Sequence, residues 1–168
     1  MRHTPMVTVS FSNGEFIETS NPLRIGGMVC EVIRVELQEL LCKSFKKKLE
    51  VTQGSFDALL RDEYRSVYPS FVYHVSDTGL KLVAYGELHE LSCATGKDGF
   101  IENIVVDPDF QGRKLGLLVV QKLLVAAWHM DMVSVQLTSA PYRVAARALY
   151  EKIGFKKRTT DVFEYTFE

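Results

Sequence analysis

The sequence predicts an α/β fold in which one mixed sheet, of the α+β kind, carries helices on its faces. Helix-periodic segments alternate with stretches rich in aromatic and β-branched residues, in the order β-α-α-β-β-β-α-β-α-β-β. Turn signals place antiparallel hairpins around a single β-α-β crossover, which should be right-handed. The length of 168 residues predicts one domain spanning residues 1–168.

The first elements are one strand and two helices. A β-rich stretch from Met6 to Phe11 predicts the strand, and turn residues follow it. Apolar side chains at helical spacing between Met28 and Lys47 predict the first helix. The second helix should begin at Ser55, whose hydroxyl can cap it, and end at Pro69, because the residue before a proline disfavours helix.

Strands dominate the remainder of the chain. The segments FVYHVS and LKLVAYGELHEL, separated by DTG, predict a hairpin, and FIENIVV follows the turn CATGKDG as a third strand. A helix from about Lys114 to Met130 is apolar nearly all round, so we expect burial on most of its faces. The strand VSVQLTS comes next, then a short helix between Pro141 and Gly154. The segments FKKR and DVFEYTF predict two final strands.

Composition and charge argue against several classes of function. The net charge is −1, so no global charge indicates a nucleic acid or a membrane as partner. No apolar run approaches the roughly 18 residues of a membrane span, and the N-terminus lacks the apolar core of a signal peptide. The three cysteines and the scattered histidines have no metal-ligand spacing. We therefore expect no metal, no disulfide framework, and a reducing, cytoplasmic location.

The stretch VVDPDFQGRKLG places two glycines and two cations between a strand and an apolar helix. The first turn of a helix has N–H groups without internal partners, and the helix dipole adds positive charge there. Arg113 and Lys114 add formal charge, so the stretch predicts an anion site, with phosphate the obvious anion. The spacing of Gly112 and Gly116 fits neither a P-loop nor a dinucleotide-binding fingerprint. Taken alone, such glycines can also simply form the turn between a strand and a helix, without binding a ligand.

This stretch, with the apolar helix after it, resembles the acetyl-CoA-binding segment of the GNAT superfamily of N-acetyltransferases. The family pattern is [Q/R]-x-x-G-x-[G/A]: Gln111 and Gly116 match its ends, and Lys114 takes the place of its middle glycine. The segment AARALYEKIGF is similar to the family's A-x-x-L-Y-x-x-x-G-F, with Arg143 where an asparagine is usual. The resemblance covers about Phe100 to Phe155 and implies the GNAT-type acyl-CoA N-acyltransferase fold.

The resemblance also implies how acetyl-CoA is held. The backbone of the Ile104–Val106 strand would pair with the pantetheine arm, and Val105 or Val106 would donate an N–H to the thioester carbonyl. The N–H groups from Gln111 to Gly116 would hold the pyrophosphate, and the thioester would lie in a cleft beside VSVQLTS. The implied cofactor-binding residues are Ile104, Val105, Val106, Gln111, Gly112, Arg113, Lys114, Leu115, Gly116, Arg143 and Tyr150.

Tyr150 is the candidate acid for the departing thiolate, a role that rests mostly on the resemblance. It shares a helix face with Arg143 and Arg147, and two guanidinium groups could lower the pKa of its hydroxyl. The opposite, core-facing side should be formed by apolar residues, namely Ala145, Leu149 and Ile153. The alternative is a packed tyrosine with its hydroxyl at the surface.

Glu102 is the candidate base, because a carboxylate is rarely found inside an apolar strand such as FIENIVV unless it has a partner or a function. Partial burial would raise its pKa towards that of a useful base. The alternatives are a solvated glutamate, Glu87 in the same cleft, or a chain of waters. We expect Asn103 to point to the other face, and expect His89 and its neighbour Glu90 to be ordinary exposed residues.

These residues predict an acetyl-CoA-dependent N-acetyltransferase, in which a primary amine attacks the thioester directly in a ternary complex. The acceptor pocket would come from the first two helices, whose acidic and aromatic residues suit a cationic amine or an arylalkylamine. Those residues are Asp57, Asp62, Glu63, Tyr64, Tyr68 and Phe71. An amino sugar is a further alternative. The resemblance also favours a homodimer. Two rivals are a non-catalytic acyl-CoA sensor and a nucleic-acid-associated protein using Lys43–Lys48 and Lys156–Arg158.

Overall fold

The computed structural model describes residues 7–11, 14–20, 30–60 and 66–167. The chain divides into two compact units, Met1–Leu137 and Thr138–Glu168, and each is described by itself. The expectation of a single domain over residues 1–168 stays a prediction.

The first unit holds a six-stranded sheet with the strand order β1-β2-β3-β4-β5-β6. The strands are β1 Val7–Phe11, β2 Gly14–Thr19, β3 Val67–Ser76, β4 Gly79–Cys93, β5 Gly96–Val106 and β6 Ser134–Leu137. All neighbours are antiparallel except β5 and β6, which are parallel. The helices of this unit are α1 Cys30–Phe45, α2 Gln53–Leu60 and α3 Leu115–His129. The predicted mixed sheet with one β-α-β crossover is therefore confirmed, while the handedness of the crossover stays a prediction.

The N-terminal elements differ from the prediction in two respects. The first predicted strand is confirmed as β1, but the prediction missed β2, which begins at Gly14 and pairs with β1 and β3. The predicted end of the second helix at Pro69 is wrong. The second helix ends at Leu60, and residues 61–65 lie outside the described part of the chain. Pro69 lies inside β3, opposite Glu87 of β4. Among the described residues, β2 pairs with β3 only from Phe71 onward, so no described strand requires an N–H from Pro69 on that side.

The two predicted C-terminal strands are also wrong, because residues 155–167 contain no strand. Their apolar side chains alternate with polar ones, and Phe163 is 93% exposed. Alternation indicates which side chains share a face, but it does not supply a neighbouring strand to complete the hydrogen bonds.

The apolar core of the first unit lies between one face of the sheet and the helices α1 and α2. Tyr85 points into that core, so its neighbour Gly86 faces the opposite side, where α3 packs. α3 is buried along one stripe rather than on most faces, which corrects the prediction. The buried residues are Leu115, Val119, Val120, Leu123 and Ala127. Trp128 of the same helix is 74% exposed.

Candidate active site

A β-bulge shapes the candidate site. Glu87 of β4 pairs with Glu102 of β5, but Tyr85 pairs with Val105, so two β5 residues lie opposite Gly86. The bulged residue Asn103 has a left-handed backbone with φ 52°. Its side chain donates from Nδ2 to Glu87 Oε1 at 2.5 Å. The Asn103 side chain therefore lies on the same face of the sheet as Glu87. The prediction that it points to the other face is wrong, because the extra residue of the bulge interrupts the alternation of side chains along β5.

Five side chains around the bulge form what we call the polar cluster: Tyr85, Glu87, His89, Glu102 and Asn103. Glu87 is buried at its centre. The Tyr85 hydroxyl donates to Glu87 Oε2 at 2.5 Å, so both carboxylate oxygens accept a hydrogen bond. His89 Nε2 lies 3.3 Å from Glu87 Oε1 and 3.9 Å from Glu102 Oε2. The cluster lies on the α1/α2 face of the sheet, because Tyr85 packs in the core on that face.

The partners of Glu87 fix its charge. Burial raises the pKa of the Glu87 carboxyl, but His89, Tyr85 and Asn103 outweigh that effect, and the net pKa is lowered. Glu87 is therefore ionised at neutral pH. Interaction with Glu87 raises the pKa of His89 despite partial burial, and Glu102 adds to the rise. Burial, followed by the nearby Glu87 charge, raises the pKa of Tyr85 well above its ordinary value.

The sequence assigned burial to the wrong carboxylate. The Glu102 side chain is 50% exposed, so the burial that made it a candidate base is absent. Glu87, named only as a second carboxylate, is the buried one. His89 and Glu90 are half-buried, and Glu90 lies 3.4 Å from Lys97 Nζ, so neither is an ordinary exposed residue. The alternation in YGELHEL was visible in the sequence, but the bulge that gathers these groups was not.

Three of these residues also have the arrangement of potential metal ligands. One donor atom from each of Glu87, His89 and Glu102 lies within 4.8 Å of the others. The sequence predicted no metal site and did not anticipate this grouping. Both oxygens of Glu87 accept short hydrogen bonds, from Tyr85 and Asn103, so the arrangement is already satisfied without an ion at that carboxylate.

The outer edge of β5 is open beside the bulge. β6 pairs with β5 only from Asp98 to Ile101. β6 ends at Leu137, and from Glu102 to Val106 no strand of the described residues pairs with that side of β5. Ile104 and Val106 are half-buried and Val105 is buried.

The predicted phosphate turn follows β5 directly. A 3-10 turn over Pro108–Phe110 leads to Gly112 and Lys114, whose backbones are left-handed with φ 76° and 60°. Lys114 is the N-cap of α3 and makes no side-chain capping bond. It thus takes the conformation that glycine adopts most easily. The Gln111 N–H already donates to Pro108 O at 3.4 Å, so that predicted phosphate donor is engaged.

Asp107 fixes the start of this turn, a role the sequence analysis missed. Its buried carboxylate accepts from the Asp109 N–H at 3.0 Å and contacts two lysines, Lys43 Nζ at 2.6 Å and Lys81 Nζ at 3.1 Å. Burial raises the pKa of Asp107, but these partners outweigh it and the net pKa is lowered. The signal in the sequence was the aspartate before a proline, a common turn-forming pair. Because Lys43 pairs with Asp107, it is less available to bind a nucleic acid, which weakens the rival hypothesis that uses Lys43–Lys48.

Arg113 packs over the ring of Phe110, with its guanidinium carbon 5.0 Å from the ring centroid. Phe110 also packs against the tilted ring of His74, with centroids 5.0 Å apart, and its ring centroid lies 5.1 Å from Lys81 Nζ. Aromatic contact with a cation limits the freedom of the side chain. Arg113 is thereby held beside the turn that the sequence assigned to phosphate.

The second unit presents Tyr150 on α4, Val144–Ile153. Tyr150 is buried and packs edge-on against Phe155, with centroids 6.1 Å apart. Gly154 ends the helix in a left-handed conformation, with φ 116°. Burial raises the pKa of Tyr150 more than Arg143 lowers it, so the predicted lowering is wrong. Arg147 instead donates to Pro141 O at 3.4 Å.

The predicted core side of α4 is also wrong. Ala145 is exposed, and Leu149 and Ile153 are only half-buried.

Of the acceptor-pocket residues, Asp62, Glu63 and Tyr64 lie outside the described residues. Asp57 accepts from Gln53 Nε2 at 2.7 Å, Phe71 is buried in the core, and Tyr68 is half-buried. In the described part of the chain, no helix has the length and apolar character needed to cross a membrane.

Comparison with known proteins gives a consistent picture. The model of the acetyltransferase (GNAT) family matches residues 35–155. Over 57 residues the chain is 40% identical to the [ribosomal protein bS18]-alanine N-acetyltransferase of Salmonella typhimurium. That match covers 34% of this chain and 38% of the relative, so it spans well under half the length of that curated protein.

Solved structures show the same fold. An acetyltransferase of Trypanosoma brucei has a TM-score of 0.65 and 23% identity, covering 81% of this chain and 94% of that one. Glucosamine-6-phosphate N-acetyltransferase of Arabidopsis thaliana has a TM-score of 0.66 and 24% identity, covering 89% and 97%. At these identities the likeness concerns the fold, and the predicted acetyltransferase fold is confirmed.

Proposed function

We propose, because the chain belongs to the acetyltransferase (GNAT) family, that it transfers the acetyl group of acetyl-CoA to a primary amine. The family uses acetyl-CoA as its co-substrate. The amine attacks acetyl-CoA directly in a ternary complex. The acceptor that bears the amine is a small molecule, with an amino sugar as one candidate class. A cytoplasmic location and a homodimer stay predictions from the sequence and its resemblance.

One observation carries the proposal: the open edge of β5 from Glu102 to Val106, directly beside the bulge. The pantetheine arm contains amides, which can pair with such an edge as an added strand does. The Asp107 N–H donates to Val83 O of β4 at 2.8 Å. Alternation along the strand then directs the Val106 N–H to the open edge and the Val105 N–H to β4. Val106 is therefore the better placed of the two predicted donors for the thioester carbonyl.

The turn after β5 fits the pyrophosphate. The left-handed backbones at Gly112 and Lys114 reverse the chain, and the first N–H groups of α3 have no intrahelical partner. The helix dipole and the cations Arg113 and Lys114 favour an anion there. Leu115 is buried and anchors the helix start, and Gly116 adds no side chain to the approach. We assign Gln111, through its side chain, and Arg143 as further contacts to the cofactor.

The chemistry needs a polarised carbonyl, a base and an acid. The amine nitrogen bonds to the thioester carbon, and the Val106 N–H stabilises the developing oxyanion. The polar cluster accepts the proton that the amine loses, with Glu102 its most solvent-open carboxylate. The C–S bond then breaks, and the CoA thiolate takes the proton of the Tyr150 hydroxyl. Burial raises the pKa of Tyr150, so the hydroxyl is protonated at neutral pH, as an acid must be, but it is a weaker donor than a solvated tyrosine.

The charge of the polar cluster bears on the acceptor. Its two carboxylates outnumber its one imidazole, which favours an amine that arrives as an ammonium ion. The amino-sugar alternative is supported by the fold shared with the glucosamine-6-phosphate N-acetyltransferase of Arabidopsis thaliana. An amine panel therefore needs amino sugars, with and without phosphate, beside diamines and arylalkylamines.

Calorimetric titration with acetyl-CoA tests the cofactor site. We expect micromolar binding that is lost in Gly116→Trp, because an indole at the first turn of α3 blocks the phosphate. Gly54→Trp is the matched control, since Gly54 is exposed and a Cβ added there meets no atom within 4 Å. Absence of binding in the wild-type protein would refute the cofactor assignment.

Thiol release with the amine panel tests the transfer itself. In an enzyme, Tyr150→Phe should keep acetyl-CoA binding and lower the turnover number by about 10²-fold or more, because it removes the acid. The alternative function, a non-catalytic acyl-CoA sensor, predicts binding without thiol release in either protein.

A further inference from the structure

We propose that His89 is the catalytic base of the amine acetylation and that Glu87 is the carboxylate that orients it. The inference rests on the proposed function and specifies the proton acceptor within the same site. Neither residue was predicted in this role, because the sequence analysis treated His89 as an ordinary exposed residue and Glu87 as a secondary carboxylate.

The geometry is that of an oriented imidazole. His89 Nε2 is buried and has no aligned hydrogen-bond partner among the described residues, and Glu87 Oε1 lies 3.3 Å from it. Glu87 is itself fixed from two sides, by the Tyr85 hydroxyl and the Asn103 amide. A buried, anchored carboxylate beside one ring nitrogen sets the tautomer and stabilises the imidazolium that forms on the other side of the ring.

The second ring nitrogen is left for the substrate. Nδ1 of His89 makes no hydrogen bond within the described part of the chain. The side chain is 32% exposed, so a ligand can reach it. His89 pairs across the sheet with Phe100, two residues before Glu102, and the open edge of β5 begins at Glu102. The base thus lies beside the strand segment proposed to hold the thioester.

The two carboxylates are less suited to the task. Both oxygens of Glu87 already accept hydrogen bonds, and its lowered pKa makes it a weak proton acceptor. Glu102 is half exposed, and the nearest charged partner to its carboxylate within the described residues is His89 Nε2 at 3.9 Å. Nothing in that contact fixes the orientation of the carboxylate. His89 alone combines a fixed ring, an accessible nitrogen and a titration range near neutrality.

The proton balance is simple. The amine attacks in its neutral form, after its ammonium proton has passed to solvent. As its nitrogen bonds to the thioester carbon, one N–H bond breaks and that proton moves to His89 Nδ1. The imidazolium that results is offset by the charges of Glu87 and Glu102. The departing thiolate takes the hydroxyl proton of Tyr150. Exchange with solvent then returns a proton to the tyrosinate and removes one from His89.

The groups that act on His89 determine the pH dependence. Among the described residues, Glu87 on its own strand and Glu102 on β5 are the charged groups that face it. The opposite residue on β3 is Val67, which carries no charge. Because both carboxylates favour the imidazolium, the acid limb of kcat/KM should have its midpoint above the ordinary histidine value of 6.5.

Steady-state kinetics as a function of pH test the assignment. We expect His89→Gln to lower kcat/KM by about 10²- to 10⁴-fold and to remove the acid limb. Glu87→Gln should move the limb down by about one pH unit or more, because the stabilising charge is lost. Glu102→Gln is the discriminating variant: it should keep the limb and move its midpoint down less than Glu87→Gln does, because Glu102 contributes least to the raised pKa of His89. Glu15→Gln, which removes an exposed carboxylate of β2, is the matched control. Loss of the limb in Glu102→Gln, with the limb retained in His89→Gln, would overturn the assignment in favour of Glu102.

Two readouts separate a base from a structural histidine. Free imidazole should restore turnover to His89→Ala, which leaves a gap at the ring, and should not restore it to His89→Gln. Proton NMR of the His89 ring, which needs no turnover, should give a midpoint above 6.5 that falls in Glu87→Gln. Failure of both results would refute the dyad even where acetyl-CoA binds and amines are acetylated. Binding without acetylation of any amine would instead refute the proposed function.

Discussion

Lys114→Gly is predicted to stabilise the protein. Lys114 has φ 60° and ψ 15° at the start of α3, a left-handed conformation that costs a side-chain-bearing residue about 1–2 kcal/mol. Glycine avoids that cost but adds about 0.5–1 kcal/mol of chain entropy to the unfolded state. The lysine is exposed and makes no capping bond, so few contacts are lost. The free energy of unfolding should therefore rise by about 0.5–1 kcal/mol.

Urea unfolding measured side by side checks the magnitude, and the melting temperature should rise by about 1–4 °C for a protein of this size. Lys46→Gly is the matched control: Lys46 is also exposed and left-handed, with φ 54°, but it follows α1. Both variants should gain stability, while only Lys114→Gly should change acetyl-CoA binding. Loss of one exposed charge should weaken that binding by about 2- to 5-fold.

A decrease in stability in Lys114→Gly would contradict the strain argument. Tighter binding of acetyl-CoA would contradict a different point, the proposal that the lysine charge contributes to the phosphate site. It would mean that the side chain obstructs the turn. The two measurements therefore test the backbone and the side chain of Lys114 separately.

Four further substitutions test the packing, the turn and the polar cluster. Gly86→Ala should lower the free energy of unfolding by about 1–3 kcal/mol, because its Cβ would lie 2.6 Å from a buried valine of α3. Gly54→Ala, in open space on α2, should raise it by up to about 1 kcal/mol. Asp107→Asn should lower it by about 1–3 kcal/mol at neutral pH, because two lysines lose a buried partner. Asn103→Gly should keep the left-handed backbone and acetyl-CoA binding but lower turnover, because Glu87 loses a donor.

Differential scanning calorimetry measures the first three and kinetics the fourth. The folded pKa of Asp107 is lowered, so its stabilisation is present above the ordinary value of 3.8 and is lost as the pH falls through the folded value. The Asp107→Asn difference should therefore shrink in acid; a difference that grows there would contradict the sign. Equal effects of Gly86→Ala and Gly54→Ala would contradict the close approach of α3.

Periodicity predicted much of the fold because burial in this chain follows it. The β3–β4 hairpin, β5, and the extents of α1 and α3 all follow from spacing and turn residues. What failed depends on partners that spacing does not specify. The segment after Phe155 alternates like a strand but has no strand in the described residues to pair with. α3 has an apolar sequence, yet Trp128 is exposed, because composition does not determine how many faces the fold covers.

The site was predicted where its signals are local and missed where they are not. The phosphate turn combines two glycines, two cations and a helix start within a few consecutive residues, so the sequence displays it. The polar cluster joins β4 to β5 through a register shift, and no pattern within either strand reveals that shift. Asp107 lies between these cases, since its turn is local but the partner Lys43 is 64 residues away.

The bulge connects the two halves of the proposed chemistry. One extra residue in β5 turns the Asn103 amide towards Glu87, which anchors the carboxylate beside His89. The same residue breaks the ladder immediately before the segment whose outer edge is open. A regular strand would leave Glu87 with one donor fewer and would offer no irregularity next to the thioester. The position of the base and the open edge proposed for the cofactor therefore both depend on one extra residue in β5. A substitution that removes the bulge is expected to lower both turnover and acetyl-CoA binding.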